Sequence, residues 1–365
     1  MTSQTISRDY SLTGPEGLVA VERGLVTAEW YKPDVPRQVM KDLMKREDGP
    51  ALRDTLIWLA CLLLAGAGAW STWGTLWCIP LFVVYGVLYG SANDARWHEA
   101  GHGTAFRTPW MNRVVYQVAS FATLREPEVW RWSHSRHHTD TIIVGRDPEI
   151  AAMRPPHIAK LLLGFFAIPH AIAAIRSVIR HAMGQRGAEE VTYIPDHIWP
   201  GIFRTARLWI AFYAAVIASA ILTRSFLPIL FIGPLPTMYG AWLAHFFGLT
   251  QHGGLAEDVL DHRLNARTVH MNPISRFLYW NMNYHLEHHM FPMVPYHRLP
   301  ALHEVIKDDL PPASPNTLAA WREILVALNR QRTDPTYYIK RVLPPTAKPF
   351  RADLHGIETA QAHSH

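Results

Sequence analysis

Eight histidines fall in three short groups: His98 and His102 in HEAGH, His134, His137 and His138 in HSRHH, and His285, His288 and His289 in HLEHH. Residues three or four apart share a helix face, so each group is expected to present its imidazoles together, toward one point. Neutral imidazole is a good ligand for zinc, copper, iron and nickel. HEAGH alone also matches the zinc-protease pattern, in which two histidines one turn apart bind the metal and the glutamate activates water. That reading leaves six histidines without a task, because a catalytic zinc takes three protein ligands and keeps one position open. Eight imidazoles exceed the needs of one metal ion, and two ions sharing them is the economical arrangement. A ninth, His252 in TQHGG, lies close by in the chain order of the elements that follow.

Apolar runs must position these groups. Residues 55–73 and 74–92 are two uncharged stretches of 19 residues that meet near Gly74. Each is about 28 Å long as a helix, against a hydrocarbon core of about 30 Å. A second pair covers 208–223, flanked by Arg204, Arg207 and Arg224, and 226–248, where Pro228, Pro234 and Pro236 predict a kink. Residues 161–175 are apolar but short, and read as an interfacial or re-entrant helix. The expected fold is therefore an all-α integral membrane protein with four transmembrane helices in two hairpins and a histidine-rich helical cap. Residues 54–305 form the membrane domain, with 1–53 and 306–365 as flanking segments.

Composition agrees. Hydrophobic residues make up 49% and charged residues 18% of the 365, against about 25% charged in a typical soluble domain. The net charge of +5 is mild, and no Lys/Arg block forms a stripe for nucleic acid. The excess of Arg and Lys in 93–207 and after 249 places those segments, the histidine groups and both termini in the cytoplasm by the positive-inside rule. The first residues contain no apolar core and do not read as a signal peptide. Cys61 and Cys78 both lie in apolar runs and suggest neither disulfide nor metal site. The spans are nearly free of ionisable groups, which argues against an ion-transport path.

The pattern H-x3-H, H-x2-H-H, H-x2-H-H, with the last group set in NYHLEHHMFP (283–292), resembles the membrane fatty acid desaturase and hydroxylase family. The resemblance runs over roughly residues 55–305. It implies two non-haem irons held by the three boxes and by one further histidine between the last span and the third box. His252 best suits that place, with His245, His262 and His270 as rivals. It also implies a fatty acyl substrate by default and a separate electron donor of ferredoxin, rubredoxin or cytochrome b5 type. The chain itself carries no cysteine set for an iron–sulfur cluster and no Gly-rich dinucleotide motif.

Removing hydrogens from an unactivated alkyl chain needs an oxidant that reduced iron and dioxygen can generate and that redox-inert zinc cannot. Desaturation and hydroxylation share such a site, so a hydroxylase or ketolase is an alternative outcome. A desaturase of a small amino-acid-like metabolite, of the dihydrorhizobitoxine type, is another. Ligand imidazoles need an acceptor on their second nitrogen. The carboxylates in reach by sequence are Asp94, Glu99, Asp140, Asp147, Asp258, Asp261 and Glu287, and Trp130, Trp132 and Trp280 beside the boxes are candidates for a substrate channel.

Overall fold

The computed structural model describes residues 8–351. The expectation that both termini are cytoplasmic falls on residues outside that range. Among the described residues the chain is all helical, with two isolated β-bridges, Thr268–Tyr284 and Val269–Ser314.

Helix α1 (Asp48–Ser71) turns through Gly74, at φ +88°, into α2 (Cys78–Gly86). The two pack side by side, with Trp73 edge-on to Phe82 across the turn. The helix does not stop near residue 92. It passes through a π-helical turn, Val87–Ser91, into α3 (Ala92–Gly101), which carries His98. A π turn inserts one residue and swings the following side chains around the axis, a device found mainly at functional sites. Helices α4 (Pro109–Ala122) and α5 (Pro127–Thr139) follow, each opened by proline at its first position, where the missing N–H costs nothing.

The apolar stretch at 161–175 forms a bent pair, α6 (Ile158–Gly164) and α7 (Ile168–Ala182), turning by 81°. Helix α8 (Trp199–Thr223) is long and apolar enough to cross a membrane, as is the run ending in α1; the bent pair is a third if taken as one broken span. Their outer faces leave Leu63, Leu64, Ile221 and Leu222 exposed, and Trp70, Trp73 and Trp77 ring the first turn. Such a large bare apolar surface, with tryptophans at its edge, is what a bilayer covers.

The stretch expected as one kinked span, 226–248, is broken twice, into α9 (Leu227–Phe231), α10 (Pro234–Gly240) and α11 (Trp242–His252). Gly233, at φ +99°, and Pro234 end the α9 ladder. The freed backbone groups find tyrosines: Tyr239 donates to the Leu230 carbonyl (2.7 Å), Tyr85 donates to the Phe231 carbonyl (2.8 Å), and the Gly233 N–H donates to the Tyr89 hydroxyl (3.2 Å). Backbone without water partners must be satisfied this way. At the second break Ser91, in the π turn, donates to the Gly240 carbonyl (2.6 Å) and accepts from the Ala244 N–H (2.9 Å). There the helices touch backbone to backbone: a Cβ on Gly240 would lie 1.9 Å from the Gly86 carbonyl oxygen.

The densest core sits in the cap, not between the long helices. Nearly every residue of 254–269 and 279–290 is buried, including the short helix α12 (His285–Met290). The segments flanking the cap are tied onto it. Arg8 pairs with Glu257 and Asp258, Tyr31 bonds Asp309, and Arg263 donates to the Lys348 carbonyl.

Candidate metal centre

All nine histidines singled out in the sequence converge beneath the ends of α3, α5, α11 and α12. They form two clusters in which the ring nitrogens lie within 4.8 Å of one another: His98, His102, His134, His138 and His288 in one, His137, His252, His285 and His289 in the other. The boxes do not each face one point, as the spacing suggested. Boxes two and three are divided, and by one rule. Residues at i and i+4 (134 and 138, 285 and 289) share a cluster, while the residue at i+3 (137, 288) crosses to the other. Adjacent helix positions are about 100° apart, so the doubled histidine of each box straddles the line between clusters.

The nitrogens face each other in a chain. In the first cluster His98 Nε2 is 2.8 Å from His288 Nε2, His288 Nε2 is 3.2 Å from His138 Nε2, His138 Nε2 is 3.2 Å from His134 Nε2, and His134 Nε2 is 3.1 Å from His102 Nε2. In the second, His285 Nε2 lies 2.9 Å from both His252 Nε2 and His289 Nε2. Several rings have their single proton committed on the outer side. His134 Nδ1 donates to Glu149 (3.0 Å), His137 Nδ1 to Asp147 (2.8 Å), and His252 Nδ1 to the Asn265 carbonyl (2.6 Å). Their Nε2 lone pairs therefore point inward at other nitrogens. Converging lone pairs in a buried space repel unless a cation lies among them, and His138, His285 and His288 each leave a buried Nδ1 with no partner. The residues present fit metal ions, one to each cluster.

Electrostatics favour the ligand form, which is neutral imidazole, at eight of the nine rings. Burial, reinforced by neighbouring rings, drives His98, His134, His138, His285, His288 and His289 well below the usual imidazole pKa. Burial takes His102 to about 4 and His252 to about 3. At His137 burial also lowers the value, but the Asp147 carboxylate outweighs it and leaves it raised.

Of the seven carboxylates considered as supports, only Asp147 holds a box histidine. Its Oδ2 also accepts from the Ile142 N–H (2.7 Å), closing the loop after α5. Glu99 turns away, accepting from Thr104 (2.7 Å) and the Tyr296 N–H (3.0 Å). The glutamate of HEAGH is thus a brace between helices, not a base aimed at the clusters. Asp94 pairs with Arg125, Asp140 with Arg136 and Arg146, Asp258 with Arg8, Asp261 with Arg263, and Glu287 with His303 and Thr268. Supports missed in the sequence are Glu149, the Asn265 carbonyl, and Thr141, whose Oγ1 lies 3.3 Å from His289 Nδ1. Glu149 had a signal, standing two residues past Asp147; a backbone carbonyl has none. Among the rival histidines, His245 bonds the Leu161 carbonyl (2.9 Å) and His270 is exposed, whereas His262 is buried beside the second cluster, its ring 5.0 Å from that of His289.

The fatty acid desaturase family model matches residues 71–320. The chain belongs to that family. No curated protein matches it. The desaturase match covers every histidine of both clusters and the helices that carry them, and it makes the chain a membrane protein of oxidoreductase type.

Two cavities reach the first cluster. One, of about 320 Å³, is lined by Trp97, Tyr116, Trp130 and Met293 together with His98 and His134. The other, of about 520 Å³, is lined by Arg46, Arg107, Arg113 and Arg131 and by Glu128, which pairs with Arg131 at 3.7 Å. His102 and Arg131 line both. Trp130 is thus the one channel candidate that meets the site. Trp132 packs among Val129, Ile194 and Trp199, and Trp280 stacks on Tyr296 at 4.4 Å. On the far side a cavity of about 80 Å³ touches His137 and His252, room for a few small molecules the size of water.

Proposed function

We propose that the protein is a membrane di-iron desaturase that uses dioxygen to introduce a C=C bond into an alkyl chain carrying an anionic head. The nine histidines are the ligands, five to one iron and four to the other. The observation that carries the reading is the pair of converging imidazole clusters next to an aromatic cavity. With iron bound, the centre supplies the oxidising power drawn from dioxygen that an unactivated C–H bond demands.

The protein's own residues do the rest. Trp97, Tyr116 and Trp130 give the alkyl segment a dry wall against His98 and His134. Arg131, shared by the two cavities, and Arg46, Arg107 and Arg113 beyond it hold a carboxylate or phosphate group at the other end. Asp147 and Glu149 fix the rings of His137 and His134 so that their Nε2 atoms stay inward. The substrate is a fatty acyl chain by default, and the arginines suit equally a short metabolite with a charged end.

In the membrane, α1 and α2 form one hairpin, and α8 with the broken run α9 to α11 forms the other. The cap and both termini face the cytoplasm. Residues 54–305 are the catalytic unit. A separate ferredoxin, rubredoxin or cytochrome b5 type protein supplies two electrons per turnover, which with two from the substrate reduce dioxygen to water.

The decisive experiment compares lipids and small metabolites by mass spectrometry in cells with and without the gene, paired with elemental analysis of the purified protein. Loss of two hydrogens from a substrate and two irons per chain support the reading. Gain of an oxygen atom makes the enzyme a hydroxylase, and one zinc without iron overturns the iron centre.

A further inference from the structure

Each cluster is met by an aromatic contact of its own. Trp97 meets the first cluster, its ring 5.3 Å from that of His134, and lines the cavity assigned to the alkyl chain. The second cluster is met by His262, which belongs to neither cluster. The His262 ring lies 5.0 Å from that of His289, tilted by 36°, and it also stacks on Trp30 at 4.4 Å and 9° from parallel. His262 is 2% exposed, while Trp30 is only half-buried and reaches solvent from the segment ahead of α1. Trp30 is pinned in place: its Nε1 donates to the Thr139 carbonyl at the end of α5 (3.1 Å), and its ring packs with Leu25, Ile143 and Leu260.

We propose that Trp30 and His262 form the electron inlet of the centre, the path by which a protein donor docked over Trp30 reduces the iron held by the second cluster. The inference rests on the reading of the clusters as an iron centre fed by an external donor. Such a centre must take electrons while its substrate side stays closed to water and to reductants. A donor cannot approach through the aromatic cavity when an alkyl chain fills it. The stacked pair gives a continuous π contact from the surface to a ligand ring on the opposite cluster, with no gap wider than ring contact. The step is an outer-sphere transfer. One electron leaves a reduced iron–sulfur or haem protein and one ferric ion becomes ferrous; no bond forms or breaks and neither Trp30 nor His262 exchanges a proton. Lys32, two residues from Trp30 and close enough to act electrostatically on His262, stands with the exposed Glu29 at the rim of the inlet, so the surface offers the donor protein charges of both signs.

A positional role for His262 would run through its Nδ1, 3.4 Å from the side-chain oxygen of Asn265, whose backbone carbonyl holds His252. The test separates the two. A ruthenium polypyridyl photosensitiser is attached to Glu29→Cys, an exposed position beside Trp30, in a Cys61→Ser background that removes the exposed native thiol. Flash reduction of the iron is followed by its absorbance without substrate, alongside iron content and reduction by dithionite with methyl viologen. Trp30→Leu should slow photoinjection by an order of magnitude or more and Trp30→Phe far less, with iron content and dithionite reduction unchanged. His262→Phe keeps a ring but loses the bond to Asn265, and should transfer much faster than His262→Leu. Injection unaffected by Trp30→Leu overturns the inlet. So do His262→Phe and His262→Leu behaving alike, which marks His262 as a brace for Asn265. Protein that binds no iron, or iron that dithionite cannot reduce, removes the iron-centre reading itself and the inlet with it.

Discussion

His137 and His138 are neighbours in sequence and belong to different clusters. His137 takes its place beside His252, His285 and His289, with its Nδ1 on Asp147 2.8 Å away, while His138 Nε2 lies 3.2 Å from both His134 Nε2 and His288 Nε2. Exchanging the two roles is impossible without rotating α5 by about 100°. His137→Ala and His138→Ala should therefore alter different sites. Each should abolish turnover, and Mössbauer spectra taken at saturating iron should differ between the variants, with a different one of the two iron signals perturbed in each. Identical spectra would mean that the two clusters are not separate sites.

His252 sits at the last position of α11 with its Nδ1 committed to the Asn265 carbonyl. His252→Ala should lose iron and turnover as severely as His288→Ala. His270→Ala, at an exposed ring outside both clusters, should keep its full iron content. Near-normal iron and activity in His252→Ala would remove it from the site.

Asp147 and Glu149 act one bond away from the clusters. Asp147→Asn and Glu149→Gln should each lower iron affinity or turnover by about 10–100-fold, the usual cost of losing a carboxylate behind a ligand histidine. Asp147→Asn should be the worse of the two, because the same oxygen also holds the Ile142 N–H, and Ile142 sits at φ +57°, an unfavourable conformation for a β-branched residue. Iron titration against a competing chelator measures the difference.

Head-group recognition by the arginine cavity predicts a KM effect. Arg107→Gln and Arg113→Gln should each raise KM about ten-fold or more for an anionic substrate, since a charge-assisted hydrogen bond is worth about 1.5–3 kcal/mol. They should leave kcat nearly unchanged. An equal effect on the neutral methyl ester would show that the arginines do not bind the head.

Gly240 is where the broken run meets the π turn, and a methyl group there would collide with the Gly86 carbonyl. Close approach of helices through small residues is a common device inside membranes. Gly240→Ala should lower the yield of folded protein and its Tm in detergent, at a cost of about 1–3 kcal/mol or more. Gly248→Ala, where a Cβ meets nothing, should be near neutral.

The sequence carried the chemistry more clearly than the architecture. Histidine spacing picked out eight of the rings because ligand geometry on a helix repeats at fixed intervals, and those intervals survive in the linear string; His252 belongs to no such group and is marked out by its place after the last apolar run and by what the family resemblance implies. The split between clusters did not show, since i+3 and i+4 look equivalent until a second metal-sized target stands beside the first. The double break in 226–248 was half visible: Pro228, Pro234 and Pro236 announced a kink. The tyrosines that make the break tolerable, Tyr85 and Tyr89, lie some 140 residues earlier. Trp30 and His262 are 232 residues apart in sequence, so no local pattern links them.

The crossing of His137 and His288 has a consequence for how the protein matures. Helices α5 and α12 each lend ligands to both clusters, so a single bound ion already orients the rings that await the other. Before the first ion arrives, the same rings press lone pairs together in a buried space. Loading should thus be all-or-none, with chains carrying two ions or none and few carrying one. Native mass spectrometry of protein purified from cells short of iron should then show fully loaded chains beside metal-free ones, with few carrying a single ion.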